Sequence, residues 1–423
     1  MKIKANLSAG NIIEWLFSIL LILEVNSVFF KSYNFDFYIS ELACVCVLAL
    51  IIINKVSVNK RILIFLLIYE FFALFYLFIL VNTYADGMVP YSVKFIIFLP
   101  IMVVYYGTNE NRGVSLIIKM ANCVVILAAA SLVAYFVSYV VSPFGYFTVD
   151  WGGVNNYGNY IFFFLGQKQE IAGRHFVRNI GVFCEAPMYA FVLSMAFCTQ
   201  LFFYRKPRKV KIVILIITIL STLSASGIAV MAGLLVLKYY LGDLTGLEYG
   251  SGKICKIKKK GFLKYVLGVI GIVAAAVVVY DLYKFKVSTG NSYRIRVDDY
   301  VAAFKAWLSN PIFGVGYDNS AAIIQYMADW RIKRYSNQGF SNAVSHILAT
   351  MGIFGAGTYI LGFFYGIKGS IKKKKSYVAV QFMVLLALMS VTVVPMQLSV
   401  LQYVALGLVV MCQTSHKRTV VNI

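Results

Sequence analysis

The sequence predicts an all-α polytopic membrane protein of about twelve transmembrane helices with two long external loops. Three observations lead there. Of 423 residues, 61% are apolar or aromatic and 13% are charged, with a mean hydropathy of +0.79, whereas a soluble domain averages about 45–50% apolar and about 25% charged residues. The apolar residues come in runs approaching the roughly 20 that a bilayer core requires. Basic residues are split unequally between alternate loops, the bias that orients helices in a membrane. A soluble globular protein and a disordered one are both excluded.

The expected spans are about 11–30, 37–53, 62–82, 91–106, 117–141, 182–204, 212–223, 226–240, 263–280, 343–367, 377–394 and 396–412. They form one integral domain over 1–423, and the first is long enough to remain as a span rather than be cleaved as a signal peptide. Loops at 1–10, 54–61, 107–113, 205–211, 241–264, 368–376 and 413–423 hold 24 of the 39 lysines and arginines, and the opposite loops hold 13. The positive-inside bias then sets both termini in the cytoplasm of a multi-pass plasma (inner) membrane protein. The net charge of +22 is accordingly a membrane signature and gives no support to nucleic-acid binding. Basic loops at 205–211 and 253–260 both belong inside, so the chain between them must cross twice or dip in and return, with a break at Ser224–Gly227. One long tilted helix is the alternative and would invert everything after it. Seven cysteines, nearly all within spans, form neither a disulfide framework nor a zinc spacing.

Only two connections are long, about 142–181 and 281–342, and both fall on the expected outer face, where ordered loops of membrane enzymes carry function. The first mixes turn residues with aromatics and ends in an apolar patch, IFFFL at 161–165, expected on the membrane surface. The second reads as two interfacial amphipathic helices. In 294–308, Val297, Tyr300, Val301, Phe304 and Leu308 recur at helical spacing; the helix should stop before Pro311, and Gly314 and Gly316 make a turn. A second helix over about 320–334 puts Ile323, Met327 and Trp330 on one side. Such helices lie along a membrane interface.

Arginines are the most informative polar residues. Of eleven, six (Arg174, Arg178, Arg294, Arg296, Arg331, Arg334) fall in the two outer loops, while the cytoplasmic clusters are mostly lysine. Topology does not explain that split. The guanidinium fork matches phosphate oxygens in bidentate fashion and keeps its charge, so the pattern points to a diphosphate site at the outer surface. The competing account pairs these arginines with Asp298, Asp299, Asp318, Asp329 and lipid head groups. Glu185, seven residues after Arg178, would share its side of a helix and act as general base or hold the arginine. His346, near the outer end of the tenth span, is a candidate base or hydroxyl-orienting group, or a packing residue. Glu14, Glu24, Glu41 and Glu70, in or near spans, carry only a structural reading. No metal cluster, P-loop or dinucleotide motif is present, so no cofactor is expected and a lipid-borne substrate is favoured over a soluble nucleotide.

Three stretches then resemble the polytopic O-antigen and capsule polymerase and ligase family, which handles undecaprenyl-diphosphate-linked glycans. They are RNIGVFCEAPMYA (178–190), RVDDYVAAFKAWLSNPIFGVGYDN (296–319) and SNAVSHILATMGIFGAG (341–357), with ASGIAVMAG (225–233) a weaker match to a short-helix hairpin. The resemblance covers the second half of the chain. It implies a GT-C-like architecture, no metal or soluble cofactor, and a lipid-linked oligosaccharide substrate. Arg178 and Arg296 would bind the lipid diphosphate and Glu185 would support the first or act on the acceptor. Arg174, Arg294 and Arg334 would add to the substrate site, and Asn342 matches the motif asparagine. The family's ligase branch has a histidine where this chain has Ser341, which argues for a polymerase unless His346 substitutes. Membrane lipids, a chain-length regulator and a flippase are the partners implied. A transporter or lipid-linked-oligosaccharide flippase is the rival class; it predicts short loops on both faces and polar groups at the midplane.

Overall fold

The computed structural model describes residues 8–33, 35–107, 109, 111–150, 154–161, 163–171, 174–204, 207–241, 292–335, 339–392 and 397–414. Within them the chain is mostly helical. The first half supplies α1 (Ala9–Leu23), α2 (Val28–Ser32), α3 (Asp36–Ile53), α4 (Lys60–Thr83), a continuous helical run α5 (Ala85–Gly107) and α6 (Asn111–Val137). After the first long loop come α7 (Ala186–Phe202), α8 (Lys209–Ser221) and α9 (Ala225–Leu241). The second long loop holds α10 (Ser292–Ser309), α11 (Ser320–Ile324) and α12 (Asp329–Tyr335). The last helices are α13 (Ala343–Lys372), α14 (Ser376–Met389) and α15 (Leu398–Thr414). By length and composition α4, α5, α6 and α13 suffice to cross a membrane, and six further apolar helices are shorter. The chain is therefore a polytopic membrane protein, and the expected span at 263–280 lies outside the described residues.

Local chemistry sets several boundaries. Ser8 starts α1 by accepting the Asn11 N–H at 3.4 Å. The first span ends well short of residue 30, because Asn26 adopts φ +51° and turns the chain into α2. The predicted pair at 212–223 and 226–240 is two helices rather than one, with the turn at 222–224, where Leu223 has φ +51°. That turn falls slightly earlier than the expected break.

The long loops and the charges between them gather at one end of the bundle. Arg178 bonds Thr222 at the α8–α9 turn, Cys184 N donates to Asn26 O at 3.0 Å, Leu398 N donates to Glu24, and Ala343 N donates to Thr392 O at 3.1 Å. At the opposite end Lys375 reaches Asn111 at 3.1 Å and Gln413 reaches the Gly107 carbonyl at 3.4 Å. Helices α13 and α15 pack backbone to backbone: a Cβ on Gly407 would collide with the Gly362 carbonyl.

Two expectations need correction. An all-α description fails in the first long loop, which folds as two small antiparallel sheets. In one, β1 (Gly145–Asp150) pairs with β2 (Val154–Tyr160) and β2 with β3 (Phe163–Leu165); in the other, β4 (Lys168–Ile171) pairs with β5 (Arg174–Val177). Aromatic and β-branched side chains alternating with small polar ones suit a pleated, half-buried surface. The IFFFL patch is accordingly no membrane-surface segment throughout: Phe164 is 1% exposed and packs with Val28, Tyr157 and Ile180. The helix expected over 320–334 is likewise interrupted between α11 and α12, where Asp298 accepts the Ala328 N–H at 3.2 Å through both oxygens. Ile323 and Met327 are buried as that pattern requires. In α10 the small residues Ala302, Ala303 and Ala306 pack inward, while Val297, Tyr300, Val301, Phe304 and Leu308 are exposed.

Candidate functional site

At the loop-bearing end, the polar side chains form two groups, one on the β-rich loop and one on α10–α13. The first is built on Arg178, which follows β5. Its N–H donates to the Gln167 carbonyl at 3.0 Å, and its Nε donates to the Thr222 carbonyl at 2.9 Å. Thr222 caps the C-terminus of α8, where free carbonyls favour a cation. Burial pulls the guanidinium down to about 10, opposed by the charge of Glu185. Next door, Asn179 ties the loop to the bundle through Ser131 at 3.3 Å and Ser221 at 3.1 Å.

Glu185 is not on a helix face shared with Arg178, as the seven-residue spacing suggested. The chain from 178 to 185 is turn and extended backbone, α7 starts at Ala186, and Glu185 is its N-cap at φ −142°, ψ 147°. The two charges still feel each other, because Gln167 folds the strand back onto the helix start: its Oε1 accepts the Ala186 N–H at 3.1 Å. Arg174 is exposed on β5, beside His175.

The second group shows which arginine the aspartates neutralise. Arg331, 0% exposed, reaches Asp299 at 2.6 Å and Asp298 at 3.3 Å, and donates to the Gly339 carbonyl. Asp299 also accepts the Ser341 N–H at 2.9 Å and the Ser341 hydroxyl. Burial raises the Asp299 pKa, and Ser341 and Arg331 pull it back down. Position 341, where the ligase branch has its histidine, is thus a strut of this network. Since both aspartates are taken by Arg331, Arg296 on the same helix has no hydrogen bond or ion pair among the described residues. Arg294 stacks over Trp330 at 4.8 Å. The side chain of Arg334 lies outside the described residues. Asp329 pairs with Lys333 at 2.7 Å rather than with an arginine.

Asn342 caps α13, its Oδ1 accepting the Ser345 N–H at 3.2 Å. His346, one turn on, is 4% exposed, lies 5.4 Å from Phe340 ring to ring, and its Nε2 is 3.4 Å from Ser320 Oγ. Asn342 Nδ2, Ser345 Oγ and His346 Nδ1 are buried without partners among the described residues. Below them the two quoted glycine motifs interlock. Gly352 breaks α13 at φ 61°, ψ −167°, and the 310–316 turn inserts there, Val315 N donating to Ala349 O at 2.9 Å and Phe354 N to Ile312 O at 3.0 Å. A Cβ at Gly352 would strike the Ile312 carbonyl, and Tyr76 seals the joint with bonds to Phe313 O at 3.1 Å and Thr350 O at 3.2 Å.

A family model described as O-antigen ligase matches residues 186–360. The match supports the O-antigen polymerase and ligase family. It takes in Arg294, Arg296, Arg331, Asn342 and His346, together with the interlocked glycine turn and α13 kink; Arg174, Arg178 and Glu185 stand just before it. This family's description supplies an activity type and no residue roles. No curated protein matches the chain.

Sequence reasoning gave Glu24 a structural reading alone and passed over Lys94. Glu24 is 5% exposed, accepts Leu398 N at 2.9 Å and lies 3.5 Å from Lys94. The available signal was two opposite charges at the same expected end of the first and fourth spans, a costly placement that marks a pair or a site. Glu14 does carry the structural reading, bonded to Lys119 and to Tyr105 at 2.6 Å.

Proposed function

We propose that this protein polymerises lipid-linked oligosaccharide repeats into capsular, O-antigen or exopolysaccharide on the outer face of a bacterial plasma membrane. A hydroxyl of an acceptor repeat attacks the anomeric carbon of the growing glycan, and undecaprenyl diphosphate leaves. The reading includes twelve spans in a GT-C-like arrangement with both termini cytoplasmic. One observation supports it: both long loops carry arginines at the same end of the bundle, and the carboxylates nearest Arg296 in the chain are taken by Arg331. Charge grows on the departing diphosphate, so fixed cations there stabilise the transition state more than the ground state. Arg178, backed by the α8 C-terminus and Glu185, and Arg296 are the primary groups. Arg174, Arg294 and Arg334 extend the anionic site. Glu185 accepts the acceptor proton or orients Arg178, and His346 and Asn342 serve the acceptor side. Lysine-rich loops at the other end support the orientation.

A ligase reading is favoured by the description of the matched model; the bonding of Ser341 to Asp299 favours polymerisation, because no histidine stands at that position. Purified protein given a synthetic undecaprenyl-diphosphate-linked repeat distinguishes them. A ladder of longer lipid-linked products is expected. Transfer only to an added lipid acceptor indicates a ligase, and no consumption of the repeat in either assay overturns the enzyme reading.

A further inference from the structure

Lys94 and Glu24 are two charges inside the bundle that the sites above leave unused. Lys94 sits in a π-helical turn, Ser92–Phe98, within α5. Such turns are rare, re-aim a side chain, and often occur at functional sites. Glu24 follows the last residue of α1.

The pair looks like mutual neutralisation, but its geometry is lopsided. Glu24 is held by other donors: Leu398 N at 2.9 Å, and the Gln397 amide, in the orientation that faces the carboxylate, at 2.7 Å to Oε1. Leu398 is the first residue of α15, so the carboxylate lies on a helix N-terminus whose dipole already compensates it. Lys94 Nζ reaches Glu24 only at 3.5 Å, beyond the ordinary length of a charge-assisted hydrogen bond. Among the described residues Lys94 has no other polar partner, although an ammonium carries three donors. Its side chain keeps 18% exposure.

The pair lies at the loop-bearing end, where neighbouring residues touch both long loops. Two residues after Glu24, the Asn26 carbonyl accepts the N–H of Cys184, the residue before Glu185. Phe95, the residue after Lys94, packs edge-on at 5.7 Å against Tyr317, which follows Gly316 in the turn docked on α13, and at 6.0 Å against Tyr359 of α13 itself. Leu398 follows the segment that begins at Thr392, whose carbonyl holds Ala343.

We propose that Lys94 is a further substrate-binding cation, donating to phosphate oxygens of the lipid-linked diphosphate alongside Arg178, with Glu24 as the residue that positions it. The inference rests on the diphosphate reading above. Two linked phosphates carry more charge than one guanidinium offsets, and a lysine supplies a compact point charge beside an arginine fork.

The test is binding of undecaprenyl diphosphate to the full chain in phosphatidylcholine nanodiscs, comparing wild type, Lys94→Gln, Lys94→Arg and the Glu24→Gln/Lys94→Gln double variant. Loss of one charged hydrogen-bond donor predicts a fall in affinity of about tenfold or more for Lys94→Gln, with most of it retained by Lys94→Arg. The double variant leaves no buried charge unpaired. It should melt like wild type and bind as weakly as Lys94→Gln. Wild-type affinity in Lys94→Gln, or its return in the double variant, reduces Lys94 to a counter-ion of Glu24 and overturns the proposal. A folded wild-type protein that binds no undecaprenyl diphosphate overturns the diphosphate reading as well, so the two failures are separable.

Discussion

Arg178 and Arg331 are both buried arginines at the same end of the bundle, and their surroundings assign them opposite work. Arg331 is enclosed by Asp298, Asp299 and the Gly339 carbonyl, with nothing left to offer a ligand. Arg178 has one neutral anchor, the Thr222 carbonyl, and a carboxylate close enough to influence it. A guanidinium has five donors, so the first is a finished structural joint, whereas the second, among the described residues, keeps donors to spare. Counting arginines in a loop does not separate the two; counting their acceptors does.

The comparison breaks most visibly at Arg331. Replacing it with Met leaves Asp298 and Asp299 facing each other without a counter-ion, and removal of one partner from a buried pair costs about 3–5 kcal/mol. Arg331→Met should therefore lower the yield of folded protein and its melting temperature sharply, as read by detergent-exchange fluorescence; a normal melt with lost activity would move Arg331 to the functional side. Arg178→Lys is the converse. It keeps the charge and loses the fork, so polymer should fall about 10²–10³-fold, the scale for one preorganised transition-state donor, while melting barely changes. Unaltered chain length on a gel of extracted polysaccharide would remove Arg178 from the site.

Smaller effects sharpen the scaffold half of the comparison. Gly352→Ala places a Cβ against the Ile312 carbonyl at a positive φ, and strain of this kind costs about 1–3 kcal/mol. The thermal midpoint should drop, with limited proteolysis opening the 310–316 turn first. Asn342→Ala removes the α13 cap, worth about 1 kcal/mol; if instead activity falls tenfold at unchanged stability, Asn342 acts on the substrate. Trp330→Leu, which deletes the ring beneath Arg294, should cost about 0.5–1 kcal/mol, detectable as a small rise in the lipid-repeat concentration needed for half-maximal rate.

Several features were legible in the residues themselves. Helical runs, the break between α8 and α9, and the helix ending before Pro311 follow from hydropathy, turn residues and proline sterics, all of which act over a few neighbours. The β-sheets of the first long loop were missed because short alternating segments such as GYFTVD carry a weak signal when turn residues crowd them. The Arg178–Glu185 relation was read for the wrong reason. Their proximity comes from Gln167 bridging a strand to the α7 N-terminus, and no seven-residue periodicity is involved.

What the sequence by itself determined is a membrane protein whose apolar segments alternate with loops of unequal charge, and a set of arginines concentrated on one group of loops. Those properties are sums over local composition, and solvent transfer energies fix them before any contact forms. Only the tertiary structure decided which arginine is neutralised, that Ser341 braces Asp299, and that Glu24 lies on the α15 N-terminus 3.5 Å from Lys94. Each of those depends on groups tens to hundreds of residues apart. Charge compensation falls off over a few ångströms, a distance that chain order does not encode.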